Sequence, residues 1–401
     1  MNLASLSASY LRARPLQTAL SLALLALGVG TIAMLVLVVS QLEERMGRDA
    51  RGIDLVVGAK GSPLQIILSG IYHLDAPTGN VPRASVQTLA KNRLVKRVMP
   101  LALGDGWKGY RIVGAGHEYL DHYGAKPAAG RLWDKPMEVV LGAEVAARTG
   151  VGVGGRFAGA HGVSGQGEEH GAAPYSIVGV LGRTGGVLDR LVLTSIESVW
   201  QVHEEEHGPA GAQGGKAIET EREVTVLLVQ YASPLAAATL PRSINSQTEL
   251  QAASPAYETA RLFRIVGVGV EALRAFAVVL IAAAGLSVFV ALYTALEERR
   301  YDLAVMRTLG ASPARLFGLL LVEGLLLAFA GTALGLALGH GFASALGVLL
   351  AAGQQYPVTG LAFRSEELWL AGAALTVGAA AALLPAWRAY RTDVARILAQ
   401  A

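Results

Sequence analysis

Charged residues are spread unevenly along this chain, and the gaps between them predict its architecture. No Asp, Glu, Lys or Arg occurs between Arg14 and Glu43, between Arg274 and Glu297, or between Glu367 and Arg388; between Arg315 and Arg364 the only one is Glu323. A bilayer core of roughly 30 Å needs about 20 apolar residues in a helix. All four stretches meet that length and predict spans over residues 16–42, 271–296, 314–352 and 368–388. Between the first two the pattern changes. Short runs of β-branched and apolar residues, bounded by Gly, Pro or charge, predict strands at 53–57, 111–113, 138–141, 175–181, 190–193 and 224–230. Helices are expected at 84–92 and 143–149, and residues 258–274 read as a stalk leading into the second span. The expected fold class is a membrane protein with four transmembrane α-helices and one large α+β domain over residues 43–270.

Orientation follows from Lys and Arg in the short connections. Residues 1–15 carry Arg12 and Arg14, residues 297–313 with the start of the third span carry Arg299, Arg300, Arg307 and Arg315, and the tail 389–401, with the end of the fourth span, offers Arg388, Arg391 and Arg396; the loop 353–367 has Arg364 alone. Both termini and the 297–313 elbow are therefore expected in the cytoplasm, with the 43–270 domain outside. The first apolar run, about twice the roughly 7–15 residues of a signal-peptide core, is expected to remain as a span.

The elbow carries the densest pattern. Leu303, Met306 and Leu309 recur at helical spacing, and Arg299, Asp302 and Arg307 supply a polar side. Gly310 suits the left-handed residue that ends a helix, and Ser312-Pro313 suits an N-cap and first turn. An amphipathic helix here either anchors a loop at the interface or acts as a lever on a soluble partner, and the residues by themselves allow both. In the third span, Gly331, Gly335 and Gly339 share one face and permit close helix approach, within the chain or between subunits. Glu323 lies roughly 15 Å along that helix from Pro313; a structural bond to a neighbouring helix and a proton relay are the two roles open to it.

Composition narrows the function classes. Of 401 residues, 52% are hydrophobic and 16% charged, the net charge is +3, and there is no cysteine; the mean hydropathy is +0.42. Nucleic acid is not an indicated partner, and disulfides, thiolate metal sites and cysteine nucleophiles are excluded. The run His203-Glu204-Glu205-Glu206-His207 matches the zincin pattern H-E-x-x-H. Gly208 and Pro209 follow at once and no third ligand is fixed, so a membrane-anchored metalloprotease is the least favoured reading. A second histidine-bearing run lies between His161 and His170, and His161, His170, His203 and His207 are kept as candidate ligands for a transiently bound metal. No phosphate loop is present; the nearest run, Gly214-Gly215-Lys216-Ala217, lacks Ser or Thr after the lysine.

The run Arg300-Tyr301-Asp302-Leu303-Ala304-Val305-Met306-Arg307-Thr308-Leu309-Gly310-Ala311-Ser312 resembles the coupling-helix signature of the MacB/FtsX-like ABC transporter permeases, with Asp302 where that family usually carries Glu. The plan of one span, a large outer domain and three more spans is similar too. So are Glu138-Val139-Val140-Leu141-Gly142-Ala143-Glu144-Val145-Ala146 and Tyr175-Ser176-Ile177-Val178-Gly179-Val180-Leu181, which look like pieces of the family's periplasmic core domain. The resemblance implies a permease of the inner membrane, LolC/LolE-like in carrying no fused ATPase, with a core domain of two subdomains. It further implies that Arg299, Arg300, Tyr301, Asp302, Val305, Met306, Arg307, Leu309, Gly310 and Ala311 dock on a cytoplasmic ABC ATPase. Implied partners are two ATPase copies holding the ATP-Mg, a second permease copy or paralogue, and a periplasmic adaptor, lipoprotein or metal-binding protein; this chain itself is expected to bind no cofactor and to be non-catalytic. Export of an outer-leaflet or periplasmic cargo is the expected role, with an FtsX-like regulator of a periplasmic partner as the alternative.

Overall fold

The computed structural model describes residues 3–160, 174–207, 222–352 and 358–391. The chain opens with helices α1 (Leu3–Arg12) and α2 (Pro15–Asp49), then strand β1 (Leu55–Ala59), helix α3 (Pro63–Gly70), strand β2 (Val81–Pro82) and helix α4 (Ala84–Ala90). Strands β3 (Val95–Trp107) and β4 (Tyr110–Ala115) lead through helix α5 (His117–His122) to strands β5 (Pro127–Gly130) and β6 (Glu138–Leu141) and helix α6 (Ala143–Thr149). Strands β7 (Arg156–Phe157), β8 (Tyr175–Leu181) and β9 (Leu191–Thr194) precede helix α7 (Ile196–His207). Strands β10 (Glu223–Val224) and β11 (Val226–Tyr231), helix α8 (Pro234–Gln247) and strand β12 (Leu250–Ala253) complete the α+β part, and helices α9 (Pro255–Glu298), α10 (Arg300–Thr308), α11 (Pro313–Ala352) and α12 (Glu366–Tyr390) close the chain.

Two compact units result, residues 1–42 with 266–401 and residues 43–265. The second unit ends five residues before the sequence-based boundary at 270, because α9 runs unbroken from Pro255 and no turn marks the change. Its strands form one ten-stranded sheet in the order β12-β1-β11-β3-β4-β9-β6-β8-β5, with β7 paired to β8; β10 and β2 make a small separate pair. Two hydrophobic clusters pack on this one sheet. Leu55, Val57, Leu227 and Val229 pack with Leu89 of α4 and Leu240 and Ile244 of α8. Ile112, Val139, Leu141 and Val192 pack with Val145 of α6 and Val202 of α7. Strand β3 joins them: it pairs with β11 on one side and β4 on the other, with a register shift between Leu103 and Gly106.

In the first unit α2, α9, α11 and α12 are each long and apolar enough to cross a membrane. Small residues bring them together. A Cβ on Gly331, Gly335 or Gly339 of α11 would stand 2.7 Å from Leu25, Val29 or Ala33 of α2. One on Gly324 would stand 2.6 Å from Ala382 of α12. The Gly331-Gly335-Gly339 face is therefore filled by the first span of the same chain, the within-chain one of the two expected alternatives. Ser21 and Ser287 hydrogen-bond between α2 and α9 at 2.8 Å.

The loop before α12 is strapped to three helices. Gln41 of α2 donates to the Thr359 carbonyl (2.8 Å) and accepts from the Thr359 amide (3.0 Å). His340 of α11 bonds the Gly360 carbonyl through Nδ1 and the buried Glu367 carboxylate through Nε2, the latter at 2.8 Å.

Candidate functional site

The elbow is built at the junction of α9 and α11. Helix α9 ends at Glu298, and Arg299 leaves helical geometry (φ −100°, ψ 12°) before α10 begins at Arg300. Asp302 lies in the first turn of α10 and Arg307 in the last, each complementing the helix dipole. The C-terminus closes as a Schellman motif: the Ala311 amide donates to the Met306 carbonyl (2.9 Å), the Gly310 amide to Arg307 (3.1 Å), and Gly310 takes φ +95°, which glycine adopts without steric cost. The chain restarts at once, Ser312 Oγ accepting from the Arg315 amide (3.4 Å) with Pro313 opening α11.

Burial splits the elbow into an inward and an outward side, and the ten expected docking residues fall on both. Leu303 and Ala304 face inward, Leu303 packing with Leu292 and Leu296 of α9, Leu316, Leu319 and Leu320 of α11, and Ala386 of α12. Met306 packs on the same cluster, and Val305 and Arg307 are half-buried. The outward side carries Arg300, Tyr301 (53% exposed), Asp302, Leu309 (83% exposed) and Gly310, with Ala311 half-buried beside them. Arg300 pairs with Glu297 of α9 at 2.9 Å. An outward tyrosine and leucine framed by charge, on a helix whose other side is anchored, form a surface suited to a groove in a soluble partner.

Arg299 is the exception among the ten. Its side chain is 12% exposed and points into the bundle, where it pairs with Glu323 of α11 at 3.5 Å. Its guanidinium carbon lies 3.7 Å from the ring centre of Tyr10 in α1. That side chain is turned into the bundle of this chain. Glu323, whose side chain is 4% exposed, thus has the structural bond to a neighbouring segment that was one of its two expected roles. Arg14, between α1 and α2, pairs with Glu298 at the end of α9. A cleft beside these pairs is lined by Tyr10, Leu11, Arg14, Gln17, Thr18 and Glu323 among others.

Residues 1–15, expected only as a cytoplasmic segment, contain helix α1. Leu6, Tyr10 and Leu11 pack on the elbow's own cluster, and Ser7 donates to the Leu319 carbonyl (3.3 Å). The spacing of Leu3, Leu6, Tyr10 and Leu11 is the signal that would have found it.

Among the histidines, His161 and His170 lie outside the described residues. His203 and His207 fall on the last turn and end of α7, their side chains outside the described set. Among the described residues no group of three or more His, Asp or Glu is placed to hold a metal ion.

Two family models match this chain: residues 18–247 match the MacB-like periplasmic core domain, and residues 274–394 match the FtsX-like permease C-terminal region. The chain belongs to the MacB/FtsX-like ABC permeases. The elbow falls at the start of the FtsX-like region, and the ten-stranded sheet within the MacB-like one. Among solved structures, the permease is similar to the extracellular domain of the noncanonical ABC-type transporter YknZ from Gram-positive bacteria, with 12% identity and a TM-score of 0.30 over 49% of this chain and 98% of that one. The comparison with curated proteins gives no match.

Proposed function

We propose that this permease transmits force: a cytoplasmic ABC ATPase, two copies of which hold the ATP-Mg, docks on the elbow, and its nucleotide cycle moves the outer α+β domain through α2 and α9. The observation that carries the reading is the division of α10, with Leu303 and Ala304 seated in the bundle while Tyr301 and Leu309 face outward among charges. A groove that takes up Tyr301 and Leu309 moves whatever Leu303 is anchored to. Helices α2 and α9 each continue without interruption past the residues that bound the bundle unit, which supports transmission along their axes.

The bundle supports handling of cargo outside or in the outer leaflet. Its buried acids are compensated internally, Glu323 by Arg299 and Glu367 by His340 and the Arg364 amide, so neither is left to line a path for a hydrophilic substrate. The cargo class this fits is an outer-leaflet or periplasmic molecule such as a lipoprotein or peptide, the membrane is the inner membrane, and a second permease copy or paralogue completes the pair.

The test is retention of the ATPase on the purified permease. Leu309→Asp places a charge where an apolar contact is desolvated and is expected to weaken retention by about 2 kcal/mol or more, as loss of a central interface anchor does. Full retention by both Leu309→Asp and Tyr301→Ala would refute docking at the elbow.

A further inference from the structure

We propose that Arg299, held between Tyr10 and Glu323, is the positioning residue that sets the angle of the elbow, which makes the N-terminal helix α1 a working part of the coupling machinery. The proposal rests on the docking reading above and concerns how the docking surface is aimed.

Backbone hydrogen bonds leave this angle free. The Arg299 amide donates to the Ala295 carbonyl of α9 (3.1 Å), and the Arg299 carbonyl accepts from the Leu303 amide of α10 (2.9 Å). Each bond completes one helix, and neither bridges the two. The angle is therefore set by side chains. Leu303 contributes burial, which is strong but non-directional. Arg299 contributes direction: a planar guanidinium stacked on a ring face while it faces a carboxylate has one orientation that satisfies both.

The two contacts come from different elements, Tyr10 from α1 and Glu323 from α11. The pair between Arg14 and Glu298, the residue next to Arg299, ties the same break to the start of α2. The side chains of Arg299 and Glu323 are 12% and 4% exposed, so removing either leaves the other short of its direct ion-pair partner, and the elbow has to turn to bring it toward water. Helix α1 is held to α11 independently, by Ser7 and by Leu6 and Leu11, so Tyr10 is a fixed reference against which the guanidinium is set.

The absence of cysteine makes the angle directly measurable. Spin labels on Leu309→Cys and Tyr390→Cys, two exposed positions in the bundle unit, report the elbow's place against the end of α12 in detergent-purified full-length permease without any ATPase. A single narrow distance distribution is expected in the parent. Arg299→Gln and Tyr10→Leu are each expected to shift or broaden it, while Tyr10→Phe, which keeps the ring face, leaves it unchanged. The double variant Arg299→Gln with Glu323→Gln is expected to be no worse than Arg299→Gln alone, since the two act as one unit. With Leu309 native, the Arg299→Gln permease still retains its ATPase but stimulates turnover less, by on the order of tenfold, the size of an ordinary coupling between sites.

Tyr10→Leu leaves both charges paired, so the question stays answerable even where Arg299→Gln fails to fold. An unchanged distribution in both Arg299→Gln and Tyr10→Leu overturns the positioning role while leaving docking intact. Loss of retention in Arg299→Gln without a change in the distribution overturns it in favour of direct contact with the ATPase.

Discussion

His73 shows how single residues in the outer unit carry a pH dependence. It follows α3 with a positive φ of 55°, is 8% exposed, and its Nε2 lies 3.2 Å from the Tyr119 hydroxyl. Burial holds its imidazole well below the usual histidine range, and the cations of Arg111 and Arg190 push the same way. In the unfolded chain the ring titrates near its ordinary 6.5. The folded form binds fewer protons, so its advantage is complete above that value and is lost progressively as the pH falls below it. The expected result is a drop in the unfolding midpoint of the parent between pH 7 and pH 5 that is smaller in His73→Asn. Asn is the substitution of choice because it tolerates the left-handed backbone and keeps a polar group near Tyr119. Equal drops in the two proteins, followed by tryptophan fluorescence, would remove His73 as the cause.

At the scale of elements, close approach between spans gives the sharper prediction. The Gly331-Gly335-Gly339 face of α11 meets Leu25, Val29 and Ala33, whereas nothing lies within 4 Å of the position a Cβ would take on Gly341 of the same helix. Gly335→Leu is expected to cost about 1–3 kcal/mol of bundle stability by overpacking, and Gly341→Leu to leave the midpoint in detergent unchanged. The contrast separates packing from helix propensity, since both replace glycine by the same residue in one helix.

The same contrast explains what was legible in the sequence. Spacing put three glycines on one face, but only the fold says which helix fills it. Strand Tyr175–Leu181 was legible to the residue because its alternation is unbroken, strand Glu138–Leu141 because a short β-branched and apolar run stops at Gly142, and helix α6 because Gly142 and Gly150 bound it. Strand β3 was not: Lys96, Arg97, Pro100, Gly104 and Gly106 break every local pattern, and the long-range pairing of Pro100 with Leu227, together with the hairpin pairing of Gly106 with Arg111, overrides them. The elbow was legible as an amphipathic helix with its caps. The inward turn of Arg299 was not, because a residue at a helix break belongs to neither helix's face, and its direction is chosen by Tyr10 and Glu323, 289 residues upstream and 24 downstream.

For the whole molecule, the decisive quantity is the side of the membrane on which each part stands. The chain enters the outer unit along α2, whose last residues reach Asp49, and returns along α9 from Pro255, so one span precedes that unit and three follow it. Crossing by all four candidate helices would put the elbow and that unit on opposite sides, whatever the absolute orientation, since a single candidate span, the one in α9, lies between Ile265 and Arg300. The excess of arginine at the N-terminus, the elbow and the tail over the single Arg364 in the last loop predicts an orientation with the elbow inside. The natural absence of cysteine allows one thiol at a time to be placed. In intact spheroplasts a membrane-impermeant maleimide is expected to label Lys91→Cys, an exposed position at the end of α4, and to leave Tyr301→Cys unlabelled until the membrane is opened. Labelling of both from outside would mean that α9 does not cross, and force delivered at Tyr301 would then have no membrane to pass through. Labelling of Tyr301→Cys alone would invert the permease and leave the elbow out of reach of any cytoplasmic ATPase.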